Sequence, residues 1–407
     1  MTFPSRSGTT RRAPAPGEGI PRPLLLVMAF AVGSIVANLY YIQPLLPDLA
    51  RDFAVAPGVV GTGVVMTQVG YAAGLVLLVP LGDLVANRTL VVTLLLAGAA
   101  ALAATSLATG PAMLLVCLVV VGLASTAVNV LIQLAASLAH PQERGKVVGT
   151  LMTGLFLGVL LARTASGALG DVAGWRAVYA AAAVLVALLA VVMRLALPNL
   201  PARRGTTYPK LLASVVTIIR AERFLRRRMA FGVLGFASFQ LLWTALPFLL
   251  SGAPYEYSST TIGLFGLVGA AGVLCAQLAG RLLDRGLAHQ VTGVLVLFLA
   301  LAWAANIVGG TELAWLLVGI VLLDIGVQGV HVLNQTRIYV YPNEIRARVT
   351  TAYMTSYFLG GALGGGLAVV LMQQVGWLGV SVAGLVLAAL AAALWLTDRH
   401  ITPTAQA

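Results

Sequence analysis

The sequence predicts an all-α membrane protein of twelve transmembrane helices arranged as two pseudo-symmetric six-helix bundles, and three observations lead there. Of 407 residues, 59% are hydrophobic and 9% charged, and the mean hydropathy is +0.96, more apolar surface than a soluble fold buries. Twelve stretches are long enough to cross about 30 Å of hydrocarbon as helices rising about 1.5 Å per residue. Two independent loop motifs recur at one offset, Asp83 with Asp284 and Pro141 with Pro342, each pair 201 residues apart (284 − 83 and 342 − 141). A repeated offset of that kind marks a duplicated unit.

Taken in order, residues 1–22 are rich in Pro, Gly and Arg and are expected to form a disordered cytoplasmic tail, because nothing in them fills a core. Arg11-Arg12 is followed by "APAPGEG" instead of the apolar run of an export signal, and the next segment is too long for a signal-peptide core. The N-terminal bundle, 23–197, holds spans at 24–46, 58–81, 90–108, 112–136, 147–170 and 177–196. "PNLPARRGTTYPKLLASVVTIIRAERFLRRRM", within 198–229, is proline-punctuated, basic and partly amphipathic, which suits a linker with an interfacial helix on the inner leaflet. The C-terminal bundle, 230–397, holds spans at 230–250, 260–283, 291–309, 314–336, 350–372 and 377–396, and 398–407 is a second cytoplasmic tail. Cys117 and Cys275 fall inside spans and read as small packing residues.

The net charge of +12 is explained by topology and needs no nucleic-acid partner. With both termini in the cytoplasm, 22 of the 25 basic residues lie inside, Arg51 and Arg176 lie outside, and Arg163 falls within a helix. The expected location is a bacterial cytoplasmic (inner) membrane, crossed many times by a chain acting as a monomer.

"PLGDLVANR" around Asp83 and "AGRLLDRG" around Asp284 resemble the two copies of the loop signature of the major facilitator superfamily. The second copy matches at Gly280, Leu282, Asp284, Arg285 and Gly286, whereas the first has Val79 in place of the leading glycine. "NLYYIQPLLPDLA" and "LLARTASG" are similar to a bacterial branch of twelve-span proton-coupled drug and metabolite exporters. Two positions depart from that branch: Leu118 stands where an arginine is usual, and the fifth-helix signature is reduced to "GLFLG". The resemblance implies the major facilitator fold and alternating access, with charge handled by other residues. It also implies that spans one, two, four, five, seven, eight, ten and eleven line a cavity.

Thirteen acids are present, and Asp324 is the one placed well inside a span, about nine residues or roughly 14 Å into the tenth. An ionised carboxylate at that depth costs around 2.5–3.5 kcal/mol, so it must face protein or a watery cavity. Asp324, Gln328, His331 and Gln335 are spaced i, i+4, i+7, i+11, one stripe of the helix. Asp324 and His331 are therefore the candidate proton-coupling pair, titrating as a coupled unit. The structural alternatives are a neutral Asp324 hydrogen-bonded to a neighbouring helix and a packed His331. Arg163 supplies the intramembrane base of the first half. Either it balances Asp324 or binds a polar substrate group, or it only anchors the outer interface.

Candidate cavity residues complete the set. Asn38 and Tyr41, with Gln43, lie in the first span, Gln68 and Tyr71 in the second, Asn129 and Gln133 in the fourth. Gln240 and Trp243 lie in the seventh, Asn334 in the tenth, Tyr353 and Tyr357 in the eleventh. The paired members are three or four residues apart and share a helix face; the alternative for each is interhelical hydrogen bonding worth about 0.6 kcal/mol. Asp83, Arg88, Arg144, Asp284, Arg285 and Arg346 are read as a cytoplasmic latch in which loop acids meet helix N-termini and neighbouring arginines, or else as ordinary positive-inside loops.

No HExxH helix and no His/Cys cluster is present, so neither enzyme chemistry nor a metal or cofactor is expected. The expected function is secondary active transport, with a proton:substrate antiporter exporting a drug-, nucleoside- or sugar-like molecule ahead of a proton-coupled uptake symporter. The partners are protons, a small organic substrate and the lipid bilayer.

Overall fold

The computed structural model describes residues 19–140, 142–198, 207–269, 288–338 and 340–398. Among them the chain is helical, without strands. The helices are α1 (Arg22–Ala37), α2 (Ile42–Asp52), α3 (Pro57–Leu77), α4 (Asn87–Ser106), α5 (Pro111–Ser125), α6 (Ala127–Leu138), α7 (Arg144–Ala196), α8 (Tyr208–Ala221), α9 (Arg223–Ser251), α10 (Ser259–Val268), α11 (Ala288–Val308), α12 (Leu313–Ile338), α13 (Asn343–Gln374) and α14 (Trp377–Leu396), with a 3₁₀ turn at Val79–Asp83. Proline in the first turn starts α1, α3, α5 and α8, where its missing N–H has no helical partner to lose.

Ten of the helical stretches are long and apolar enough to cross a membrane. The longest, Arg144–Ala196, contains Gly174 at φ 80°, a conformation that favours glycine, so it bends there into the fifth and sixth spans. α10 begins the eighth span, whose remainder lies outside the described residues.

Two spans expected to be continuous are broken. The first divides at Asn38–Tyr41, where N–H groups of Asn38, Leu39 and Tyr40 bond three residues back, and Pro44 and Pro47 supply no N–H to α2. The fourth divides at Thr126, whose hydroxyl and N–H both bond the Leu123 carbonyl. The seventh span starts at Arg223, seven residues earlier than its apolar stretch, because the arginines continue the helix beyond its apolar part.

Glycines set the closest packing, and they do it in the same way in both halves. A Cβ on Gly158 would fall 2.1 Å from the Gly33 carbonyl oxygen, bringing α7 onto α1, and one on Gly364 would fall 2.0 Å from the Ala237 carbonyl oxygen, bringing α13 onto α9. The halves meet through α3 on α13 and α7 on α10. A Cβ on Gly61 would press on Val369, and the rings of Tyr71 and Phe358 stand 4.1 Å apart.

The face opposite the α8 linker is closed by hydrogen bonds between halves. Ser259 Oγ donates to Asp48 Oδ2 at 2.6 Å, the Thr260 N–H donates to Asp171 Oδ2 at 2.7 Å, and Thr164 Oγ1 donates to the Gly263 carbonyl at 3.1 Å. A cleft of about 720 Å³ lined by Arg51, Asp171, Phe248, Glu256 and Ser259 lies there. On the other face, Tyr208 of α8 donates to the Leu77 carbonyl at 2.7 Å, tying the linker to the first half.

Candidate central transport site

Arg163 projects from α7 into protein and is 3% exposed, so it does not anchor an interface. Its Nε donates to Gln43 Oε1 at 2.5 Å, and Gln43 Nε2 donates to Gln240 Oε1 at 3.4 Å, a chain of amides that crosses from the first half to the second. The guanidinium carbon lies 4.1 Å from the Trp243 ring centroid, 4.8 Å from that of Tyr40 and 5.6 Å from that of Phe239. Such stacking favours arginine, whose planar, weakly hydrated head tolerates an aromatic cage.

Asp324, on α12, is equally buried at 3% exposure. Its Oδ1 accepts from Trp243 Nε1 at 3.4 Å, and its Oδ2 packs where a Cβ on Gly269 would fall, 2.3 Å away. No ion pair within 4 Å joins Asp324 to Arg163. Trp243 stands between them, giving one face to the base and its N–H to the acid. Within this core Arg163 Nη2 and Gln240 Nε2 are buried without a protein hydrogen-bond partner, as are Asn38 Oδ1 and both amide atoms of Gln68 in the first half. Groups of that kind are costly to bury and suit a ligand or water.

The stripe on α12 divides in two. His331 Nδ1 lies 3.0 Å from the Tyr353 hydroxyl and its Nε2 accepts from Gln335 Nε2 at 2.9 Å, an arrangement satisfied by a neutral ring protonated on Nδ1. The ring also lies 4.3 Å from that of Tyr357, which stacks on Phe236 at 4.1 Å. No hydrogen bond joins His331 to Asp324, and Gln328 is half-buried between them. His331 is held by the Tyr353 hydroxyl of α13 and by Gln335 of its own helix.

The remaining candidates separate similarly. Tyr71 accepts from Asn129 Nδ2 at 2.8 Å, bringing spans two and four together. Tyr41 is half-buried, and its neighbour Tyr40 is the ring against Arg163, since the break in the first span removes the helical phase that paired Tyr41 with Asn38. Gln133 is exposed, away from the core of the site. Asn334 accepts from Arg228 Nη1 at 3.2 Å and so belongs to a second polar cluster near the linker face. In that cluster Arg228, 1% exposed, pairs with Asp398, which also accepts from Arg337 Nη1 at 3.3 Å.

Of the latch residues, Arg144 Nε donates to the Ala136 carbonyl at 3.0 Å, Arg346 donates to the Tyr341 carbonyl at 2.9 and 3.1 Å, and Arg88 is half-buried. Asp284, Arg285 and the side chain of Asp83 lie outside the described residues. Tyr40, Phe239, Arg228 and Asp398 were not legible as site or cluster residues. Tyr40 hides in a helix break, the two aromatics look like core, Arg228 ends an arginine run, and Asp398 falls where a tail was expected.

A duplicated six-span unit with a buried acid and base at its centre can be compared with known proteins. The sequence profile of the Major Facilitator Superfamily matches residues 28–339. The chain belongs to that superfamily. It is 43% identical over 385 residues to the putative uncharacterized transporter YgaY of Escherichia coli (strain K12), covering 95% of this chain and 98% of that one. It is 29% identical over 289 residues to a chloramphenicol resistance protein of Streptomyces lividans, covering 70% and 72%. Among solved structures, the fold matches a bacterial homolog of the human lysosomal transporter Spinster, in an inward-facing and occupied conformation, with a TM-score of 0.76 at 15% identity over 93% of this chain and 97% of that one. This superfamily member is a multi-pass membrane transporter of small molecules, and its family and relatives are not enzymes.

Proposed function

We propose that the protein is a proton:substrate antiporter of a bacterial inner membrane that exports a small, neutral or zwitterionic organic molecule by alternating access. The observation that carries this reading is Trp243, which holds a buried acid of one half and a buried base of the other on a single indole. Substrate and proton compete for this group. Protonation of Asp324 weakens its hold on the indole N–H, and substrate ordering around Arg163, Gln43 and Gln240 follows the same ring. With the basic linker in the cytoplasm, the hydrogen bonds at Asp48 and Asp171 fasten the halves on the outer side, as an inward-facing state requires. In this reading Asp83, Arg88, Arg144, Asp284, Arg285 and Arg346 latch the opposite, outward-facing state.

Export is favoured by the likeness to the Streptomyces lividans resistance protein. A driving force of about 150 mV supplies roughly 3.5 kcal/mol per charge, enough for a gradient of some hundreds-fold. Proton-coupled uptake uses the same residues. The deciding experiment is steady-state accumulation of dyes, antibiotics, nucleosides and sugars in cells expressing wild type or Asp324→Asn, with and without a protonophore. Reduced accumulation of one compound, abolished by either change, supports export. Raised accumulation in wild type establishes uptake, and full activity of Asp324→Asn removes Asp324 from coupling.

A further inference from the structure

The start of α9 carries a feature that transport does not use. Arg223, Arg226, Arg227 and Ala230 are spaced i, i+3, i+4, i+7 and, with Leu394 of α14, line one groove of about 310 Å³. The guanidinium stripe ends where α9 becomes apolar, at "AFGVLGF", so the groove has a cationic rim and an apolar floor at the polar–apolar boundary. Arg227 is fixed there, because its Nη1 donates to Thr397 Oγ1 at 2.6 Å and to the Leu394 carbonyl at 3.3 Å, and Arg226 Nη1 donates to the Ile219 carbonyl at 3.0 Å. Arg223 is exposed.

Two carboxylates close to this rim in sequence have partners outside it. Glu222 is buried and accepts from the Tyr341 hydroxyl at 3.0 Å, and Asp398 is buried against Arg228 and Arg337. The rim therefore keeps its positive charge.

We propose that this groove is a binding site for an anionic glycerophospholipid, with the headgroup phosphate among Arg223, Arg226 and Arg227 and an acyl chain along Ala230 and Leu394. Guanidinium groups match phosphate oxygens in pairs, and a basic pocket between helices at a membrane surface suits such headgroups. The apolar floor selects a lipid over free phosphate. A lipid seated there bridges the first turns of α9 and the last turn of α14, next to the linker helix α8.

Native mass spectrometry of the full detergent-solubilised chain tests the site, with phosphatidylglycerol, phosphatidylcholine and inorganic phosphate as probes. Wild type is expected to retain phosphatidylglycerol over phosphatidylcholine. Arg223→Gln lowers phosphatidylglycerol affinity about fivefold and Arg223→Gln/Arg226→Gln about 25-fold, whereas Arg223→Lys, which keeps the charge and loses the paired guanidinium geometry, falls between wild type and Arg223→Gln. Arg194→Gln removes an exposed charge outside the groove and leaves binding unchanged. The single Arg223→Gln variant, at an exposed position, keeps the test valid if the double variant unfolds. Equal retention of the two lipids, an equal loss in Arg194→Gln, or displacement by inorganic phosphate at comparable concentration overturns the proposal.

Discussion

Two arginines are almost wholly buried in this protein, Arg163 at 3% and Arg228 at 1% exposure, and their surroundings differ. Arg228, near the linker face, has a carboxylate against it, an amide on Nη1 and Phe224 and Phe231 within about 5 Å. Arg163, at the centre, has no carboxylate within 4 Å, leaves Nη2 without a protein partner, and rests on three aromatic rings and one amide. Arg228 Nε and Asp398 Oδ1 are also buried without a hydrogen-bond partner, so what separates the two sites is the counter-ion, which neutralises the charge of Arg228 within the fold. A buried charge whose counter-ion stands beyond an indole is still available to a ligand, and its charge balance depends on whether Asp324 carries a proton.

The contrast breaks first at Asp398. Asp398→Ala leaves Arg228 buried with Arg337 and no acid, and should lower stability by about 3–5 kcal/mol in thermal or denaturant melts. Arg228→Met/Asp398→Leu should recover most of that loss. A wild-type melt for Asp398→Ala shows that the pair is not structural. At the centre the order of effects reverses. Asp324→Asn should abolish proton-driven export, so that cells accumulate the substrate as cells lacking the protein do, while changing stability by less than about 1 kcal/mol.

A subtler change is Trp243→Phe, which keeps a ring under Arg163 and removes the N–H that reaches Asp324. Transport should fall about tenfold, the worth of roughly 1.5 kcal/mol for a hydrogen bond to a charged acceptor. Undiminished transport in this variant separates the ring from the acid and removes the coupling role given to the indole. A stabilising change is expected for Gln43→Glu, which makes Arg163 resemble Arg228 by placing a carboxylate on its Nε. Melting should shift upward by about 1 kcal/mol while uptake or efflux is lost, since the charge that substrate and proton share is then satisfied. Transport at the wild-type rate would show that the open valence of Arg163 is not used.

Much of the fold was readable because a membrane imposes it. Apolar runs about 20 residues long must be helices when no water is present to satisfy the backbone, and the repeated offset showed the duplication. The helix breaks were less visible. Pro44 and Pro47 are plain in the sequence, but an apolar window averages over the break at Asn38–Tyr41, and with it went the phase that placed Tyr41 in the cavity instead of Tyr40. Asp324 and Arg163 were legible as isolated charges in apolar surroundings. His331 was legible as polar, yet its partner was not, because Tyr353 reaches it from α13 across a helix–helix contact.

What the sequence determined by itself, then, is what depends on local composition: the apolar spans, the basic linker and loops, the two halves, and which charges must lie in the membrane. Only the tertiary structure decided which of those charges are answered. Arg228 and Asp398 are 170 residues apart and Arg163 and Gln43 are 120 apart, and no local rule links partners at such separations. Their pairing follows from how glycines such as Gly158 and Gly364 let whole helices approach, which places side chains that no periodicity relates within a hydrogen bond of one another.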